Sequence, residues 1–249
     1  MKAHHLFLTL PTLLLDACST VSEVSSQLKA KPAKPSPFLS HPWELTSQRE
    51  RAPFALYYMN SVLKERRALY SSIYVAPVAT SYLRPAATTF TGHATGDIHH
   101  GERPVGEMAS FLRHSVEDAF RYSTNHRISV TREPQAGGAT LKLALVELNP
   151  TDTTGNAMKG LPGGVLLTGQ TAGNIAIEGR LTDNVTGEVL MEFADNEQDK
   201  LTVVSLRDFS PYEHAKVAIR EWARQLDELA RTPSTHKVED SSSFTLNPF

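Results

Sequence analysis

Cysteine is nearly absent: Cys18 is the only one in 249 residues. No disulfide can close within the chain, so any fold must rest on packing. Excess charge of either sign is also absent. A net charge of −2 at pH 7 gives no reason to expect nucleic acid or a strongly anionic surface as a partner. No G-x-S-x-G elbow occurs, which removes one hydrolase signature. Gly164-Val165-Leu166-Leu167-Thr168-Gly169-Gln170-Thr171 has the glycine spacing of a phosphate-cradling loop, but Gln170 stands where the lysine belongs. Without that cation the β- and γ-phosphates lack a partner, so no nucleotide is expected. What remains is ordinary for a globular chain that can bury a sizeable core, 40% apolar and 21% charged.

The chain opens on Met1-Lys2-Ala3-His4-His5, a short basic region, and runs on through apolar residues 6–15. That length suits the core of an export signal and falls short of the roughly 20 residues a spanning helix needs. Leu15-Asp16-Ala17-Cys18 then resembles the lipobox of bacterial lipoproteins, with Asp16 at a place where a small neutral residue is usual. The resemblance implies cleavage before Cys18 and a diacylglycerol on its thiol, and it accounts for a lone cysteine in an exported chain. Residues 1–17 are therefore expected to be a lipoprotein signal peptide. Ser19 stands where an aspartate would favour the inner membrane, so the expected location is the outer membrane, facing the periplasm. Residues 18–53 are expected to form a lipid-anchored flexible tether. They include Lys29-Ala30-Lys31-Pro32-Ala33-Lys34-Pro35-Ser36-Pro37, which offers few apolar anchors.

Beyond it the periodicity predicts a sheet and helices. Leu141, Leu143, Leu145 and Leu148 mark a strand over 140–148, with Val146 breaking the strict alternation. Two more strands are predicted at 174–182 and 188–194, joined by the turn formers Asp183-Asn184-Val185-Thr186-Gly187 as a hairpin. Residues 72–78, β-branched, aromatic and ended by Pro77, read as the first strand of the sheet, and 128–131 as a brief one. Residues 54–69 fit a short helix or a strand and turn. Val105, Met108, Leu112, Val116 and Phe120 recur at helical steps and predict a helix over about 104–122 with Pro104 at its start. Ser210-Pro211-Tyr212-Glu213 reads as a capping box opening a second helix, whose stripe is Ala215, Ile219, Trp222, Leu226 and Leu229. The expected architecture is a single α+β domain over 54–231, a mainly antiparallel sheet covered by two principal helices. A disordered tail is expected over 232–249.

A resemblance runs through these segments. Tyr74-Val75-Ala76-Pro77-Val78, Leu145-Val146-Glu147-Leu148-Asn149-Pro150-Thr151, Gly163-Gly164, Ile177-Glu178-Gly179-Arg180-Leu181-Thr182-Asp183, Thr186-Gly187-Glu188-Val189-Leu190 and a final tryptophan-bearing helix are in order. The course is similar to the uncharacterised lipoprotein family labelled domain of unknown function 3313. The resemblance implies a bacterial envelope lipoprotein and brings no activity with it.

Few residues suggest chemistry. His93, His99 and His100, with Asp97 and Glu102 nearby, are the densest group of metal-ligand types, but their spacing matches no ligand pattern, and a polar loop explains them as well. No metal, other cofactor or catalytic residue is assigned. Residues 155–173 are long and glycine-rich for a connection. Leu161, Val165, Leu166 and Leu167 in it would sit awkwardly in water, so this loop is a candidate contact surface for lipid or a protein partner. The expectation is a non-catalytic binding or assembly module, held to the membrane by its N-terminal lipid and facing another envelope protein. Two alternatives stay open: an envelope-acting enzyme using loops 92–102 and 149–173, and a small-molecule carrier with a pocket under the glycine-rich loop.

Overall fold

The structure, a computed structural model, describes residues 34–47, 51–85, 102–124, 127–150, 173–198, 211–233 and 235–240. The ambiguous region 54–69 is both of its readings in turn: a strand β1 (Leu56–Met59), a short helix α1 (Ser61–Arg66) and a single 3₁₀ turn. Asn60 separates them, its side-chain oxygen accepting the Val62 N–H at 2.8 Å as an N-cap. β2 (Ser72–Val75) is therefore the second strand in the chain, not the first.

Helix α2 (Glu102–Arg121) starts two residues before Pro104, which a first turn tolerates because its amide would have had no helical partner. β3 (Ser129–Thr131), β4 (Gly138–Asn149), β5 (Asn174–Asp183) and β6 (Val189–Gln198) follow, and α3 (Glu213–Arg231) comes last. The expected capping box is not seen: the helix begins at Glu213, with Tyr212 at the N-cap and no side-chain cap bond. Pro211 and Tyr212 form a turn instead, and Ser210 lies outside the described residues. Glu213 still suits the first turn, where its carboxylate faces the positive end of the dipole.

The six strands form one sheet in the order β1-β6-β5-β4-β2-β3. β1, β6, β5 and β4 pair antiparallel, whereas β2 runs parallel to both β3 and β4. The predicted hairpin is present. Asp183 Oδ1 accepts the Val185 and Thr186 amides at 2.7 and 2.8 Å, and Gly187 takes φ 72°, the left-handed region where glycine costs least.

Both helices pack on one face of the sheet. Leu112 and Val116 of α2, Ile219 and Trp222 of α3, and Leu143 and Ile177 of the sheet belong to one buried cluster. The break at Val146 now has a cause: the β4–β5 register shifts between Leu145 and Glu147. That bulge returns Leu148 to the helix face and leaves Val146 on the other.

The far face carries small residues, Ala144, Ala176 and Ala194. Part of the expected tether lies across it. Residues 34–47 form a strap whose Phe38 and Leu39 are buried against these alanines. The strap is held by two buried strand carboxylates, because most of its backbone lacks a ladder partner. Glu178 accepts the Ser36 amide at 2.7 Å and its hydroxyl at 2.5 Å. Glu192 accepts the Ser40 and His41 amides at 2.6 and 2.7 Å. The expected tail is likewise partly built in: Val238 is fully buried and donates its amide to the Arg51 carbonyl at 2.9 Å. The folded body thus extends past both expected limits, residues 54 and 231.

Candidate functional site

The last turn of α3 leaves carbonyls that no helical amide can reach. Three arginines from distant parts of the chain converge on them. Arg51 Nη2 donates to the Leu229 carbonyl at 2.7 Å, and its Nη1 donates to that of Pro233 at 2.8 Å. Arg67, in the 3₁₀ turn, donates to Ala230 O at 2.7 Å and to Thr232 O. Arg127, just ahead of β3, donates to Ala230 O at 2.8 Å and Arg67 O at 3.0 Å. Cations suit the negative end of a helix dipole, but that end carries only about half a unit charge. Among the described residues no carboxylate forms an ion pair with any of the three.

The excess is felt in the titration of Arg67. Burial, then the guanidiniums of Arg51 and Arg127, pull Arg67 down to about 10, so it remains charged at neutral pH. Burial lowers Arg51 and Arg127 as well. Arg51 is only 9% exposed, and its Nε is buried with no acceptor.

Beside these cations lies an apolar cavity of about 80 Å³ between sheet and helices. Leu63, Ile73, Leu141, Met191, Leu226 and Leu229 give it hydrocarbon walls, and the three arginines also line it. One water-sized group needs roughly 10–15 Å³, so there is room for several. A cavity with this lining is suited to holding an apolar group, not to transferring a proton.

A second group of ionisable side chains gathers around the buried Asp195, with Glu197 and Asp240 half-buried. Asp195, Glu197 and Asp240 bring one oxygen each within 4.8 Å of one another, the ligand types of a metal site. Asp195 already accepts the Trp222 indole N–H at 2.8 Å and the Ala55 amide at 2.9 Å. Burial, reinforced by the charge of Glu197, pushes Asp195 up to about 7 against those two hydrogen bonds.

Cys18, His93, His99, His100, Leu161, Val165, Leu166 and Leu167 all lie outside the described residues. The arginine group was not anticipated, since its members fall in the expected tether, in an ambiguous segment and ahead of a brief strand. A weak sequence signal existed for the buried acids only. Glu178 and Glu192 each interrupt an apolar strand.

The family described as "Protein of unknown function (DUF3313)" matches residues 34–226. No curated protein matches. Solved structures with a similar course include a PelC dodecamer from Paraburkholderia phytofirmans, at 11% identity and TM-score 0.38, covering 69% of this chain and 94% of that one. Protein XCC0632 from Xanthomonas campestris, of family DUF330, is similar at 16% identity and TM-score 0.39, covering 64% and 81%. At these scores neither likeness bears on function.

Proposed function

The chain belongs to the family described as protein of unknown function (DUF3313), and on that premise we propose that it is a lipid-anchored protein of the bacterial cell envelope, a non-catalytic module that holds a small apolar molecule. The binding half of this reading rests on one observation, the cavity of about 80 Å³ with hydrocarbon walls between sheet and helices. Water gains few hydrogen bonds in such a space, so an apolar occupant is favoured. The anchoring half is supported by the apolar run at 6–15 and the single thiol that follows it. Two acyl chains on Cys18 give a stable hold where one gives only a marginal one. The membrane this reading favours is the outer one, with the body in the periplasm.

Two measurements test the halves separately. Expressed in a bacterial host with its own signal, the chain should fractionate with membranes, and its mature N-terminal peptide should begin at an acylated Cys18. A bare Cys18 on a freely soluble chain would overturn the anchoring. Toluene, an uncharged probe of seven heavy atoms, should saturate at one per chain in calorimetric titration, and Ala139→Leu, which fills the cavity from its wall, should abolish uptake. Equal uptake by both proteins would overturn the binding.

A further inference from the structure

We infer that the cavity takes a single acyl chain ending in an anionic group, whose charge is met by Arg51, Arg67 and Arg127. The inference rests on the apolar-binding reading above and adds the chemistry of the ligand's head. Two features argue for a head of this kind, beyond the hydrocarbon walls that argue for a tail.

The first is charge. Three arginine side chains line one apolar space, and the carbonyls of α3 that their guanidiniums bind offset only about half a unit of charge. Among the described residues they form no ion pair with a carboxylate, although the charged residues of α2 and α3 are extensively paired. Arg113 with Glu117, Arg224 with Glu221 and Glu228, and Arg231 with Asp227 are examples. Solvent counter-ions reach a half-buried cluster poorly, so an anion brought by a ligand is the complement it lacks.

The second is an unmet hydrogen bond. Arg51 is 9% exposed, it lines the cavity, and its Nε–H is buried without an acceptor. A buried donor left unpaired is costly, whereas a carboxylate or phosphate oxygen placed against the guanidinium would satisfy it by a charge-assisted bond. A neutral ligand supplies the tail and leaves both defects in place. A free inorganic anion supplies the charge and leaves the hydrocarbon walls against water. An anionic acyl chain answers both.

The size of the space limits the tail. At roughly 10–15 Å³ for each water-sized group, about 80 Å³ admits some five to eight of them, which points to a chain of medium length. Each added methylene should raise affinity about fourfold until the space is full, the equivalent of about 0.8 kcal/mol.

The test uses the full chain carrying Cys18→Ala, which removes the lipid and with it any need for detergent that would compete for the site. Calorimetric titration with hexanoate, octanoate and decanoate, and with the alcohols of the same length, separates tail from head. The expected result is a rise of about fourfold per methylene that levels off by decanoate, with octanoate at least tenfold tighter than octanol. Arg127→Gln, at one of the two half-buried arginines, should remove most of that tenfold preference and leave octanol unchanged. On the unaltered arginines, raising salt should weaken octanoate and not octanol. Octanol binding as tightly as octanoate would overturn the anionic head while leaving the apolar cavity reading intact. No binding by acids or alcohols of any length would overturn both.

Discussion

Raising the pH from 5 to 7.5 is expected to weaken the fold through Asp195. Its carboxyl lies in the core, accepting the Ala55 amide and the Trp222 indole N–H. Burial, with the charge of Glu197 added, pushes its pKa up to about 7. In the unfolded chain it titrates near about 3.9. Between those two values the folded state keeps a proton that the unfolded state has released. Stability therefore falls as pH rises from about 4 to about 7, and this group adds nothing further above that. At about 1.4 kcal/mol per unit, the whole window is worth at most about 4 kcal/mol, and about 2–3 kcal/mol of it falls between pH 5 and 7.5.

Asp195→Asn isolates this contribution in urea unfolding followed by the fluorescence of Trp222, which lies against the altered side chain. An amide can accept with its oxygen only, yet two N–H donors face this position. The variant should accordingly lose about 1–3 kcal/mol at pH 5. At pH 7.5 it no longer carries a charge that the core disfavours, so the gap to the unaltered protein should close by about 2–3 kcal/mol. A difference between the two proteins that is the same at both pH values would show that the fold does not hold a proton on Asp195.

Glu178→Gln should loosen the strap, because one of the two oxygens that accept the Ser36 amide and hydroxyl becomes a donor. The expected cost is about 1–3 kcal/mol, with faster hydrogen exchange at Ser36 and little change at Ser40 and His41, which Glu192 holds. Unchanged exchange at Ser36 would mean that Glu178 does not fix the strap. Gly179→Ala should destabilise by overpacking, since a Cβ there would lie 2.1 Å from the Phe193 ring. That ring is itself stacked on Phe54 at 4.1 Å and cannot easily retreat. A loss of about 1–3 kcal/mol is expected, read as a melting point several degrees lower, and Phe193→Leu in the same chain should recover part of it. No loss on Gly179→Ala would show that the ring has room to move.

The sheet and its helices were legible because burial on one face imposes a period, and the period survives in the residues. Leu141, Leu143 and Leu145 alternate, and Ala215, Ile219, Trp222, Leu226 and Leu229 step by three and four, whatever else the chain does. The hairpin was legible because its turn needs particular residues, Asp183 to cap and Gly187 for a positive φ. The strap and the arginine cluster were not, because neither repeats. Phe38 and Leu39 sit among prolines and lysines that read as a solvated linker. What fixes them is a pair of carboxylates 142 and 152 positions away at the amides they bind, a relation that no local window contains. Arg51, Arg67 and Arg127 likewise meet only because α3 ends where all three can reach its carbonyls.

The strap also changes what an anchor at Cys18 would allow. With the tether ending near residue 53, the body would stand on a leash of some three dozen residues. The sheet instead takes hold of the chain by Ser36, through Glu178, and Phe38 and Leu39 are packed beneath the far face. Sixteen positions separate Cys18 from Lys34, and a fully extended chain covers at most about 3.5 Å for each. A lipid on Cys18 would therefore keep the body within about 60 Å of the membrane. The same segment then runs on to Arg51, which lines the cavity. Tether, strap and cavity are successive parts of one stretch of chain, so tension on the anchor would load the Glu178 and Glu192 contacts before it reached the arginines.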